Sequence, residues 1–272
     1  MHAFLINDNS CSGKPKKTKS GYIALKTVFS KKSLLPHIFY CSLRYAMADS
    51  EYKDSAKIQI TKNGPYLVTG NIPLSKQVLV CNAQGDSIGW QEDKKYPVTG
   101  NYTLCRCGGS HNKPFCDGTH TKINFDGTET ASRVPYLQRA EWTEGPDIRL
   151  SDAPGFCSHG RFCVRGRGIW DAVERSGDPE MKRIALEMAA NCHSGRLVIW
   201  DTHTQKPIEP VFEKSIGVVE GPGEGMSGPL WVRGGIPLVS ADGSLYEVRN
   251  RMTICSCGKS KNKPFCDGSH VR

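Results

Sequence analysis

The 272-residue sequence contains no run of eighteen apolar residues, which excludes a membrane-spanning helix. It has no Ser/His/Asp order suited to acyl transfer, no P-loop, and no G-x-G-x-x-G after an expected strand. The glycine-rich stretch G-V-V-E-G-P-G-E-G at 217–225 reads as a loop, not a phosphate cradle. Charge of one sign is also missing from most of the chain. The net charge is +9, yet residues 1–46 hold eight Lys/Arg against one acid, Asp8, and residues 47–272 hold 28 basic and 26 acidic residues. That balance excludes a broad basic face for nucleic acid on the folded part. With 38% hydrophobic and 23% charged residues, the composition is globular rather than disordered.

Residues 1–46 are Lys/Ser-rich and read as a basic, disordered leader, with Met47 as an alternative start of translation. Organellar targeting segments favour Arg, and only Arg44 is present here. A cytoplasmic protein is therefore expected, with an organelle such as the mitochondrion as the alternative if this segment is a targeting signal. Cys11 and Cys41 lie in the leader without a partner pattern.

From Lys57 onward, K-I-Q-I-T-K-N-G-P-Y-L-V-T-G alternates apolar and polar residues around Asn63-Gly64, which predicts a β-hairpin. Val78–Cys81, Ile88–Trp90 and Tyr96–Leu104 read as further strands, with a turn at Gln84-Gly85-Asp86 and no convincing helix. Cys81 is expected to be a small buried hydrophobe. Past Ser151 the pattern changes. Asp178-Pro179-Glu180 predicts a helix start, and Met181, Ile184, Ala185 and Met188 share one face up to Cys192. Arg196–Asp201 then reads as a strand.

Self-comparison reveals the organisation. Tyr96–His120 aligns without gaps with Tyr246–His270 at an offset of 150, with fifteen of twenty-five positions identical. G-P-Y-L-V-T-G-N-I-P-L at 64–74 matches G-P-L-W-V-R-G-G-I-P-L at 228–238, seven of eleven identical, at an offset of 164. The expected fold class is α+β: two small β-rich modules (47–126 and 213–272) pair about a pseudo-twofold axis within one monomer and flank an insertion at 127–212.

Nine of the twelve cysteines fall in tight clusters with histidine nearby, at spacings suited to metal rather than disulfides. Each module offers C-x-C-x8-C-x3-H: Cys105, Cys107, Cys116 and His120, then Cys255, Cys257, Cys266 and His270. Three thiolates and an imidazole suit zinc or an iron–sulfur cluster. Structural zinc sites usually space a Cys pair by two to four residues, so Cys-x-Cys favours two sulfurs on one iron of a larger cofactor.

The segments C-R-C-G-G-S-H-N-K-P-F-C-D-G-T-H and C-S-C-G-K-S-K-N-K-P-F-C-D-G-S-H resemble the CDGSH iron–sulfur (NEET) family over about sixteen residues each. The resemblance implies a 2Fe–2S cluster per copy, with the first two cysteines on one iron and the third cysteine and the histidine on the other. It also implies that Asp117 and Asp267 buttress the loop, and that Ser110, Ser260, Pro114 and Pro264 shape it. His111 aligns with Lys261, so a ligand role is not expected for it.

The insertion carries Cys157-Ser-His-Gly-Arg-Phe-Cys163 and, beyond the helix, Cys192-His-Ser-Gly-Arg-Leu197. It resembles the divergent single-cluster ferredoxin-like domain, C-x-H-x-G-x-C … C-P-S-G-A-L. The resemblance implies a third cluster on Cys157, Cys163 and Cys192, either 4Fe–4S completed by His159 or an outside ligand, or 3Fe–4S. The alternative is that these cysteines are core residues only. His193 stands where the usual Pro would be and reads as an orienting or surface residue. The Arg-rich C-V-R-G-R-G that begins at Cys163 reads as a solvated loop.

A histidine ligand raises the potential of a 2Fe–2S cluster above that of an all-thiolate site and lets its free ring nitrogen carry a proton, near the unperturbed value of about 6.5. An electron-transfer, cluster-storage or cluster-transfer protein is therefore expected, not an enzyme, with a redox partner protein or a cluster acceptor and no nucleic acid. The alternatives are an iron–sulfur subunit of a redox enzyme and a zinc-binding interaction module. His270 lies two residues from the end of the chain, so the second site is expected to lose its cluster first.

Overall fold

The first copy begins with a hairpin, as its alternation requires. In the computed structural model, which describes residues 56–221 and 227–271, β1 (Lys57–Ile60) and β2 (Tyr66–Thr69) pair antiparallel across a turn with Asn63 at φ 49°. Ile58, Ile60, Tyr66 and Val68 point inward and are buried, while their neighbours are half-buried. The first copy continues with β3 (Leu74–Cys81), β4 (Ser87–Tyr96) and β5 (Tyr102–Leu104). The insertion holds β6 (Glu141–Thr143), β7 (Ile148–Asp152), β8 (Leu197–Asp201) and β9 (Pro207–Ile208). The second copy adds β10 (Ser215–Glu220), β11 (Ser227–Arg233), β12 (Leu238–Val239) and β13 (Arg251–Ile254). Helices are few among the described residues: α1 (Thr119–Lys122), α2 (Ile169–Glu174) and α3 (Pro179–Asn191). The chain is α+β.

Among the described residues three sheets form, in the orders β12-β1-β2-β5, β13-β11-β10-β3-β4 and β6-β7-β8-β9. The first two exchange strands reciprocally. Leu238 of the second copy pairs in parallel with Ile58, and Leu74 of the first copy, its counterpart in the repeat, pairs in parallel with Ile216. The exchange merges both copies into one core that includes Ile58, Val68, Leu74, Ile216, Val232 and Leu238. Each such aliphatic side chain taken from water contributes about 1.5–3 kcal/mol. The third sheet makes a separate core with α2 and α3, through Ile148, Leu150, Ile169, Val173, Ala185, Met188 and Ile199.

Helix α3 starts where Asp178 Oδ1 accepts from Glu180 N at 2.8 Å, and Ala185 and Met188 of the expected face are buried. Several expectations change. Tyr96–Leu104 is not one strand: β4 ends at Tyr96 before Pro97, which lacks a ladder donor, and the chain turns through Gly100 at φ 65°. β4 runs far beyond Trp90 although Gln91–Lys95 is polar, because it is a sheet edge with solvent on its outer side. Gly217–Glu220 lies in β10 rather than in a loop, held by parallel pairing with β3. Cys81 is half-buried, not buried. Helix α2 had no signal in the spacing. The leader at 1–46, with Cys11 and Cys41, and Met47 lie outside the described residues. No helix among the described residues is long and apolar enough to cross a membrane.

Candidate metal centres

Each CxC pair sits where a short strand runs out. β5 delivers Cys105, whose N–H donates to Pro114 O at 2.8 Å, while Cys116 N donates back to Thr103 O at 3.1 Å. β13 does the same in the second copy: Cys255 N to Pro264 O is 2.8 Å and Cys266 N to Thr253 O is 3.0 Å. Strand and loop are thereby clipped together, and Leu104 faces Phe115 as Ile254 faces Phe265. Lys113-Pro114 and Lys263-Pro264 are both cis. Ser110 Oγ donates to Phe115 O at 2.7 Å and accepts from Asn112 N at 3.1 Å. Ser260 repeats this with Phe265 O at 2.7 Å and Asn262 N at 3.0 Å.

Asp117 spans its loop, accepting from His111 N at 2.9 Å and Thr119 N at 3.0 Å. These bonds, led by that from His111, hold its carboxyl well below the usual carboxylate range. Asp267 accepts from Lys261 N at 2.9 Å and Ser269 N at 3.0 Å. Burial works against its ionised form, but the hydrogen bonds from Ser269 and Lys261 outweigh it and its pKa is lowered. Gly118 and Gly268, at φ 85° and 80°, then turn the chain toward the histidine.

The donors come in pairs. Cys105 and Cys107 Sγ lie 3.8 Å apart, and Cys116 Sγ lies 3.4 Å from His120 Nδ1. In the second copy Cys255 and Cys257 Sγ are 3.7 Å apart, and Cys266 Sγ is 3.3 Å from His270 Nδ1. Two thiolates at about 2.3 Å on one tetrahedral metal stand about 3.8 Å apart, and a thiolate and an imidazole nitrogen about 3.5 Å. Each pair thus has the separation of two ligands on one ion. Among the described residues, no three His, Cys, Asp or Glu side chains converge on a single-ion site. Burial pushes the Cys266 thiol up to about 12, so that thiol stays protonated until a bound cation displaces the proton.

Cys107 and Cys257, fifty times three positions apart in the repeat, meet as an antiparallel backbone bridge. Gly108 and Gly258 permit the approach: a Cβ on Gly108 would lie 2.4 Å from Cys257 O, and one on Gly258 2.5 Å from Cys107 O.

In the insertion, Cys157, Cys163 and Cys192 line one cleft, together with Ser158–Phe162 and Arg196. Two residues of the wrapping loop, His159 and Arg161, both take φ 61°. Burial raises Cys163 to about 11, with Cys192 adding to the effect. Arg196 is clamped by Asp152, Nε to Oδ1 at 2.6 Å and a second nitrogen to Oδ2 at 2.7 Å, and borders the cleft. His159 lies on the same cleft, but its ring edge rests on the second copy: a Cβ on Gly268 would meet its Cδ2 at 2.0 Å and Nε2 at 2.7 Å. His193 is no surface residue. It is buried beside Trp90, with ring centroids 4.9 Å apart, and its Nε2 shares a hydrogen bond with Ser158 Oγ at 3.0 Å. Burial lowers its pKa to about 3, so it stays neutral and orients the cysteine loop. His111 is exposed. The arginines after Cys163 are ion-paired, Arg165 with Glu187 at 2.8 Å and Arg167 with Asp171 at 3.0 Å.

Two buried arginines escaped the motif reading. Arg106, between the first two cysteines, stacks near Tyr66 and Phe125 and donates to Gly127 O. Arg251 at the start of β13 donates to Ala189 O at 2.9 Å, Cys192 O at 2.8 Å and Leu197 O at 3.1 Å, and pairs with Glu209. It thereby ties the end of α3 and the third insertion cysteine to the strand that delivers Cys255. A charge in a short β-run was the available signal.

Residues 63–121 and 227–271 each match the family described as iron-binding zinc finger CDGSH type, and residues 143–202 match the divergent 4Fe-4S mono-cluster family. No curated protein and no solved structure matches the chain. With its two repeated donor sets inside the CDGSH matches and its three cysteines inside the other, the chain carries two CDGSH-type iron-binding regions flanking a divergent 4Fe-4S mono-cluster region, the arrangement of a tandem CDGSH iron–sulfur protein.

Proposed function

We propose that the chain is an electron carrier or cluster-storage and cluster-transfer protein with two 2Fe–2S centres and a third centre in the insertion. The observation that carries this reading is the doubled pair of donor pairs, each at the separation of two ligands on one ion. Cys105 and Cys107 hold one iron and Cys116 and His120 the other; Cys255, Cys257, Cys266 and His270 repeat the set. Paired donors favour a two-iron group over a single zinc ion. A 2Fe–2S group supplies one-electron redox chemistry where it is bound. The residues do the rest. Nδ1 of each histidine turns toward its cysteine, which leaves Nε2 to hold a proton. Asp117 and Asp267 keep the Cys–His segment in its turn, and Ser110 and Ser260 fix the loop between the sulfur pairs.

The reciprocal strand exchange and the Cys107–Cys257 bridge favour a pseudo-twofold pairing of the copies in one monomer. Cys157, Cys163 and Cys192 hold the third group, of 4Fe–4S or 3Fe–4S type, and the middle match favours 4Fe–4S. The partner is a redox protein or a cluster acceptor, and the setting is cytoplasmic.

Visible and paramagnetic resonance spectra test the reading. The purified protein is coloured, and Cys157→Ser with Cys163→Ser removes one signal while leaving the CDGSH signals. A colourless zinc protein, or spectra unchanged by the double substitution, contradicts it.

A further inference from the structure

The same loop sequence meets different surroundings in the two copies. Cys266 and Gly268 are buried, whereas Cys116 and Gly118 are half-buried. The second loop is docked on the insertion at three points. Asn262 Nδ2 donates to Gly155 O at 2.9 Å, Phe265 packs edge-on to Phe156 with centroids 5.1 Å apart, and the His159 ring lies on Gly268. A Cβ on Gly268 would meet three ring atoms of His159 within 2.8 Å, while one on Gly118 would meet nothing within 4 Å.

His159 holds this place in a left-handed conformation, φ 61°, that glycine would adopt more cheaply. The next residue is Gly160, which the chain does not use there. A side chain kept at a strained position directly above the turn between Cys266 and His270 has a contact to maintain.

We propose that His159 is a positioning residue that docks the insertion's cysteine loop onto the second CDGSH loop, so that its ring on Gly268 holds the Cys266–His270 turn closed and the second site retains iron longer than the first. The ring acts by packing, not as an iron ligand. The proposal rests on the reading of Cys255, Cys257, Cys266 and His270 as iron ligands.

The test follows iron release to a chelator in two backgrounds of the full chain. Both carry Cys157→Ser, Cys163→Ser and Cys192→Ser so that the insertion holds no iron; one adds Cys105→Ser and Cys107→Ser and reports the second site, and the other adds Cys255→Ser and Cys257→Ser and reports the first. His159→Gly, which relieves the backbone, should speed second-site release about tenfold, as expected for losing one well-packed ring contact. First-site release should stay unchanged. His159→Phe keeps a flat ring at no lesser backbone strain and should restore most of the retention. Equal release from His159→Gly and the unsubstituted protein overturns the proposal. So does failure of Phe where His succeeds, since the nitrogen would then be acting as a ligand.

Thermal unfolding of the same chains separates this proposal from the ligand reading. Gly268→Ala should lower Tm more than Gly118→Ala, and in the His159→Gly background the two should become equal. Additive effects overturn the dock whatever the iron content. No iron at the second site with the coupling present overturns the retention claim and the ligand reading, and leaves the dock itself intact.

Discussion

The first and second CDGSH loops share their geometry and differ in what covers them. Their equivalent hydrogen bonds, from Cys105 N and Cys255 N through to Thr119 N and Ser269 N, differ by no more than 0.1 Å. Yet one third cysteine is half-buried and the other buried. The loop is therefore a local device, closed by its own serine, aspartate and glycine, while its exposure is set by the partner it packs on. For the first copy much of that side is solvent; for the second it is the insertion. Position along the chain is a poor guide here: His270 lies near the end of the sequence, but the loop that carries it is the better covered of the two.

The largest effect expected is the loss of one site without the other. Cys105→Ser with Cys107→Ser should remove about two iron and two sulfide per chain, and Cys255→Ser with Cys257→Ser a like amount, both read by metal and acid-labile sulfide analysis. Loss of all colour from either pair would show that the sites are not independent loops.

Arg251→Met probes what only the second copy has. It removes the guanidinium bonds to the Ala189, Cys192 and Leu197 carbonyls, the first two of which keep a backbone donor, and leaves Glu209 without its partner. Breaking a buried pair in this way costs about 3–5 kcal/mol, to be read from denaturant unfolding. The first copy has Asn101 at this place, so its site should keep its iron in the variant. Equal damage to both sites would mean that the merged core, rather than the insertion, depends on Arg251.

His120→Cys and His270→Cys each replace a neutral donor by a thiolate. The potential of the substituted site should fall, and its dependence on pH should shrink because the Nε2 proton is gone. Protein-film voltammetry across the acid side of neutrality reads both. Unchanged potentials would remove the histidines from the ligand set. The smallest effect belongs to Ser110→Ala and Ser260→Ala, each costing about 1–3 kcal/mol for an unsatisfied loop carbonyl and amide. The two values should agree closely if the loops are local devices, and a much larger cost in one copy would tie that loop to its surroundings.

The repeated motifs, the loop hydrogen bonds of Asp117, Asp267, Ser110 and Ser260, the first hairpin and helix α3 were legible because each is written in residues close together in sequence. The strand exchange was not. The identical I-P-L segments at 72–74 and 236–238 mark equivalent strands, but nothing local says that each pairs with the other copy, since parallel partners are chosen by the shared core. Arg106 and Arg251 were missed for a related reason. Their charges are matched by backbone carbonyls and one carboxylate from distant segments, which no spacing records. His193 was half read: its neutral, orienting role follows from burial beside Trp90, which only the fold supplies.

The central claim, two iron–sulfur centres held by the repeated donors, is tested most directly by the chain carrying Cys157→Ser, Cys163→Ser and Cys192→Ser, purified without oxygen. Metal and sulfide analysis should find about four iron and four acid-labile sulfide per chain. Stoichiometric zinc without sulfide would contradict it.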